Sequence, residues 1–171
     1  NKILERSGLA SVPAAATAAF VGTEFDSIAG RGREGEPVRM TPWGEIAFQL
    51  AGDQGFQIVK EHDAKLIAPG GDVIRALLPS DRPCLILMDE LMNYVSRFRK
   101  EGLSDQLYNF IHNLSMVASG LSNVVVAISI PTSQIEMTSE DEADFSRFKK
   151  VLDRVGKPVI LSSDADISEI I

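Results

Sequence analysis

Only one cysteine, Cys84, stands in the chain, which excludes an internal disulfide framework and a cysteine-built zinc cluster, and suits a reducing, cytoplasmic setting. Its apolar neighbours make it a small core thiol. Long apolar runs are missing as well: none approaches the roughly 20 residues of a membrane span, and no secretory signal is visible. No block of Lys and Arg occurs either, and 24 acids against 17 bases give a net charge of −7. The electrostatic footprint of a nucleic-acid binder is therefore not indicated by this segment. A further missing pattern is Gly-x-x-x-x-Gly-Lys-Ser/Thr, which occurs nowhere in the 171 residues; Gly70-Gly71 does not make a phosphate loop. What is present, 44% apolar and 24% charged residues, is the composition of one globular domain with a substantial core.

Two stretches are strongly apolar. Leu85-Ile86-Leu87-Met88 runs directly into Asp89-Glu90, and Val124 to Ile130 is β-branched and uninterrupted until Pro131. Both are too short and too uniform for amphipathic helices and read as buried parallel strands. Ala16 to Thr23 reads as a third strand of small residues ending in a turn, and Val159-Ile160-Leu161, behind Pro158, as a short fourth.

Helices fill the intervals. Asn1 to Arg6 is a helix end stopped by Ser7-Gly8. After a loop holding Pro13, the strand at Ala16 and a solvated loop from Arg31 to Pro37, Thr41-Pro42 starts a helix whose face of Trp43, Ile46, Ala47 and Leu50 runs up to Gly52. Phe56, Ile58 and Val59 lie in a segment of no assigned type. His62-Asp63 reads as an exposed pair rather than an acid/base or metal pair, because adjacent residues do not face one another. Asp72 caps a short helix carrying Ile74 and Leu77. One helix follows Glu90, and a second starts at Ser104-Asp105 with a stripe of Leu107, Phe110, Ile111, Leu114, Val117, Ala118 and Leu121, leaving His112 on the surface. Ser139 and Glu142 form a capping box for a helix that closes before Gly156. Ser163 and Asp166 cap a last helix of which Ile167 to Ile171 remain. Strands alternating with helices give an α/β domain: a parallel sheet flanked by helices on both faces.

In such a sheet ligands bind at the carboxyl ends of the strands, and there stand Asp89, Glu90 and, one strand on, Ser129. Hydrolysis of a nucleoside triphosphate needs a phosphate cradle, magnesium, an oriented water and a group that senses the terminal phosphate. Asp89 can hold Mg2+ through a water and Glu90 can polarise the attacking water. Ser129 can reach the phosphate or the water.

This pattern resembles the AAA+ branch of the P-loop NTPases, in which the acidic strand is the Walker B element and the next strand ends in the sensor-1 residue. Phe20-Val21-Gly22-Thr23, Thr41-Pro42-Trp43-Gly44, Ala68-Pro69-Gly70-Gly71, Leu85 through Leu91 and Ile128-Ser129-Ile130-Pro131 resemble, in order, a family of large prokaryotic predicted AAA+ ATPases. The resemblance implies ATP and Mg2+ as ligands and a central strand carrying the Walker A loop between the Ser129 strand and the last one. That strand and loop are not in this sequence, so the chain reads as a fragment with the loop upstream. Partners implied are ATP and a second copy or another protein, with no membrane. Arg97, Arg99 and Arg147 are the arginines whose geometry decides whether any could act as a finger. A non-catalytic interaction module keeping a nucleotide-binding fold is the competing reading. A flavodoxin-like or receiver-like domain is a weaker third, since those place key residues after the first strands.

Overall fold

The computed structural model describes residues 2–8, 10–11, 14–130 and 138–157. In chain order the elements are α1 (Lys2–Ser7), β1 (Ala16–Val21), α2 (Pro42–Ala64), α3 (Gly71–Leu77), β2 (Cys84–Asp89), α4 (Leu91–Phe98), α5 (Leu103–Ser119), β3 (Val124–Ile128) and α6 (Ser139–Val155). The expected loop at Pro13, the segment Pro131 to Gln134, the strand Val159 to Leu161 and the final helix capped by Ser163 and Asp166 lie outside the described residues.

The three strands form a parallel sheet in the order β1-β2-β3. Ala16, Cys84 and Val124 stand side by side, as do Phe20, Met88 and Ile128, so all three strands end level with one another. Strand alternation sends Ala18, Phe20, Cys84, Ile86, Met88 and Val124 into the core. Burying each large side chain contributes about 1.5–3 kcal/mol. A one-residue slip of β2 would exchange Ile86 and Met88 for Leu87 and Asp89, which is why the register is firmly specified.

The chain is α/β with helices flanking the sheet, but among the described residues the strands are not buried on both sides. Leu87 is 44% and Val125 59% exposed on the face opposite the core. An uninterrupted apolar run cannot tell a two-sided strand from one whose outer face awaits cover.

The edges of the sheet differ. At β1 the side-chain amide of Gln49 in α2 takes up both outward groups of Ala19: the Ala19 N–H donates to Gln49 Oε1 at 2.7 Å and Gln49 Nε2 donates to the Ala19 carbonyl at 2.9 Å. At β3 the ladder to β2 uses the Asn123 carbonyl and the Ser129 N–H. Strand parity therefore turns the backbone groups of Val124, Val126 and Ile128 outwards, with no strand beside them among the described residues.

The helix after Thr41 forms as its caps dictate: the Thr41 hydroxyl accepts from Gly44 N at 3.0 Å and Pro42 occupies the first helical position. It breaks at Ala51-Gly52, where Gly52 takes φ +59°, ψ −144°, a conformation open only to glycine. The untyped segment beyond it, with Phe56 and Val59, is helical to Ala64 and folds back, placing Asp63 beside Thr41.

Three helix starts differ from expectation. Gly70, not Asp72, caps α3, because Gln106 and Asn113 of α5 hold the preceding loop through Ala68 N and the Pro69 carbonyl and so set where the chain turns. The capping box of α6 is Thr138 with Asp141 rather than Ser139 with Glu142: Asp141 N donates to the Thr138 hydroxyl and Thr138 N to the Asp141 carboxylate, both at 3.2 Å. α5 starts at Leu103, one residue early, after Gly102 in the left-handed region. Its stripe is buried at Leu107, Phe110, Ile111, Leu114 and Val117 but half-buried at Ala118 and Leu121, and His112, expected on the surface, is half-buried. Among the described residues no helix is long and apolar enough to cross a membrane.

Candidate functional site

The level strand ends bring Asp89 and Ser129 together. Ser129 N donates to the Met88 carbonyl at 2.9 Å, extending the ladder one residue beyond β3, and the Ser129 hydroxyl donates to Asp89 Oδ1. The same oxygen accepts from Glu90 N at 2.9 Å. Asp89 Oδ2 has no partner among the described residues, and Asp89, Glu90 and Ser129 are all exposed. The three residues singled out in the sequence thus share one edge, with the serine tied directly to the aspartate.

Glu90 has φ 55° and ψ 34°, a left-handed conformation uncommon for a residue with a side chain. Such strain, about 1–3 kcal/mol, persists only where the surroundings over-determine it. Gly22 supplies part of that constraint. Its N–H donates to the Asp89 carbonyl at 2.9 Å, and a Cβ placed there would lie 2.2 Å from the Glu90 carbonyl oxygen and 3.1 Å from Tyr94 Cβ. Gly22→Ala should therefore lower stability by about 1–3 kcal/mol, the usual cost of overpacking. Thermal denaturation reads this as a drop of roughly 2–12 °C for a chain of this size; an unchanged melting temperature would show that the turn relaxes freely.

The turn after Gly22 is gripped by α4. Arg97 donates to the carbonyls of Gly22 (3.2 Å), Thr23 (3.0 Å) and Phe25 (2.8 Å). Beneath it Phe20, Phe25, Tyr94 and Phe98 form an aromatic cluster with centroid separations of 4.8–6.4 Å. Tyr94 is fully buried, its hydroxyl 2.7 Å from that of Ser27, and burial pushes its pKa up to about 12.

The other two arginines are committed as well. Arg99 binds Asp141 (2.5 Å), Asp144 (2.8 Å) and Glu140 (3.2 Å), joining the end of α4 to the first turns of α6. The Arg99 guanidinium and then the Thr138 hydroxyl hold the Asp141 carboxyl below its usual range. Arg147 pairs with Asp105 and stacks 3.8 Å above the Tyr108 ring. The acidic first turn of α6 thus has an internal cation as well as the helix dipole to account for it.

Away from the strand ends, the structure corrects one reading. Asp63 is not exposed: its side chain is buried and accepts from Met40 N at 3.0 and 3.1 Å and from the Thr41 hydroxyl at 2.5 Å, clamping the start of α2 to its end. Burial pushes its carboxyl up, against the opposing pull of the Thr41 hydroxyl, the Met40 and Thr41 backbone and the Arg39 charge. His62 shares none of this, its Nδ1 being buried without a partner among the described residues. The loop from Arg31 to Pro37 is solvated as expected, with residues 32–35 exposed, and Arg31 and Arg39 bridge through their backbones across its base. Arg31 donates to the Glu24 carbonyl at 3.0 Å, and the buried Arg39 binds Glu45 at 3.1 Å and Glu36 at 2.8 Å.

The N-terminal domain model of the DUF499 family matches residues 30–162. The chain belongs to the DUF499 family. No curated protein and no solved structure matches it. The DUF499 match covers β2, β3 and the helices between them, so Asp89, Glu90 and Ser129 all lie inside the family domain, whereas β1 and Gly22 precede it.

Proposed function

We propose that this DUF499 domain is part of an ATP-binding and hydrolysing core of the AAA+ type, with Asp89 and Glu90 as its Walker B carboxylates and Ser129 as its sensor. The observation that carries the reading is the hydrogen bond from Ser129 to Asp89 across adjacent parallel strand ends, beside a glutamate held in a strained turn. A solvated acidic strand end without chemistry requires neither.

The roles follow from chemistry. Glu90, exposed and one residue beyond the strand, is placed to orient a water and take its proton as the water oxygen bonds to the terminal phosphorus and the phosphoanhydride bond breaks. Ser129 has a single O–H, which it donates to Asp89 here; as a sensor it would turn that proton to a phosphate oxygen, which only accepts. Among the described residues no three His, Cys, Asp or Glu side chains converge on a cation site. Magnesium is held through one or two carboxylates while phosphate and water fill the rest of its shell, and Asp89 is the residue that would hold it. Bound with the nucleotide, magnesium offsets charge on the phosphates.

The phosphate cradle belongs, in this reading, to a segment outside these 171 residues, on a strand added at the open edge of β3. The full-length protein should therefore bind Mg-ATP in calorimetric titration with micromolar affinity, and residues 1–171 alone weakly or not at all. Micromolar affinity for residues 1–171 alone would refute the external cradle. No binding by the full-length protein would refute the ATPase reading and favour an interaction module that keeps the fold.

A further inference from the structure

We infer that Asn93 is a positioning residue for Glu90, holding its carboxylate in the orientation in which it meets the attacking water. The inference rests on the proposed ATPase reading and adds to it a residue on α4.

Three observations converge on Glu90. Its backbone is left-handed. Gly22 packs against its carbonyl so closely that no side chain fits there, which fixes where the residue sits. Asn93 Nδ2 then donates to Glu90 Oε2 at 2.5 Å, which fixes where the carboxylate points. An ionised carboxylate only accepts, so it is the amide NH2 of Asn93 that must face it.

A left-handed residue launches its side chain in a direction that neighbouring helical residues cannot reproduce, and an exposed glutamate left there would sample many rotamers. Asn93 sits one helical turn on, where its short side chain can reach back to Glu90, and it leaves Oε1 free of any partner among the described residues. One oxygen is tethered and the other is available. Asn93 is itself exposed, between the buried Met92 and Tyr94, so core packing gives no reason for an amide at this position.

A merely structural alternative is that the pair closes the first turn of α4. That role would show as a loss of stability, whereas positioning shows as a loss of turnover with stability and ATP affinity intact. The test uses the full-length protein. Asn93→Ala should lower kcat by roughly 10- to 100-fold, the scale of a misplaced catalytic group, with the KM for ATP and the melting temperature unchanged. Asn93→Gln, which keeps the donor, should recover a substantial part of the loss. In Glu90→Gln/Asn93→Ala turnover should fall no further than in Glu90→Gln alone, because Asn93 acts only through Glu90. A readout independent of turnover is the ATP retained after rapid desalting: little for the unsubstituted protein, most for Glu90→Gln, and an intermediate amount for Asn93→Ala.

If Glu90→Gln abolishes turnover while Asn93→Ala keeps kcat within about twofold, or loses kcat only together with melting temperature, the role of Asn93 is wrong and the ATPase reading stands. If the unsubstituted protein has no turnover, or Glu90→Gln keeps it, the ATPase reading fails and this inference falls with it.

Discussion

Glu90→Gln in the full-length protein is expected to cut ATP turnover by about 10²- to 10⁴-fold, the usual contribution of a general base, while leaving ATP affinity unchanged. The substitution is nearly isosteric and falls on an exposed residue, so no core contact is lost. Glutamine can keep the left-handed backbone as well as glutamate does, and its carbonyl oxygen can still accept from Asn93. What disappears is the negative charge and the ability to take a proton from water. Because Gly22, Asp89 and Asn93 hold the same geometry in both proteins, a change in turnover reports the chemistry of the carboxylate. Steady-state kinetics with a matched binding titration decide it. A glutamate that merely begins a helix would leave both quantities unmoved.

Asp63→Ala should destabilise the fold by roughly 3 kcal/mol, placing it among the most damaging single changes in this chain. The alanine would strand the Met40 N–H and the buried Thr41 hydroxyl without their acceptor and unpin the two halves of α2 from each other. The effect also carries a pH signature. Burial raises the Asp63 pKa in the folded state above its ordinary value, so the folded protein holds that proton more tightly than the unfolded chain does. The stability this contributes is complete below the ordinary carboxylate pKa and is lost as pH rises through the raised one. The gap in melting temperature between the unsubstituted protein and Asp63→Ala should therefore be wider near pH 4 than at pH 7. A gap that widens towards neutral pH would mean that the hydrogen bonds outweigh burial at this carboxylate.

The legible part of the fold was local. β2 and β3 announce themselves as short apolar runs, Thr41-Pro42 as a helix start, and Gly52 as the place where that helix breaks. The grouping of Asp89, Glu90 and Ser129 at one edge followed from two parallel strands with those residues at their ends. What escaped depended on partners distant in sequence. Asp63 looked exposed because the groups that bury it lie 22 and 23 residues upstream, beyond a chain reversal that periodicity does not report. Arg97 gives no local sign of its grip on the carbonyls of Gly22, Thr23 and Phe25, more than 70 residues away. Glu90's left-handed backbone leaves no trace in composition, although an Asp-Glu pair between a strand and a helix leaves only one or two residues in which to reverse the chain. The face carrying Leu87 and Val125 is apolar yet open among the described residues, because an apolar run reports what a strand can bury and not what covers it.

The carboxamide of Gln49, seated on the outward N–H and C=O of Ala19, gives the sheet a direction of growth. A further strand arriving at Ala19 would meet groups already satisfied, whereas one arriving at β3 meets backbone groups of Val124, Val126 and Ile128 that no strand covers among the described residues. One margin is blocked at its middle, and the other is a template among the described residues. A strand that joins on the side of Ser129 is delivered next to the residues at the proposed site, and the Gln49 carboxamide stands between two such domains that meet at their β1 margins.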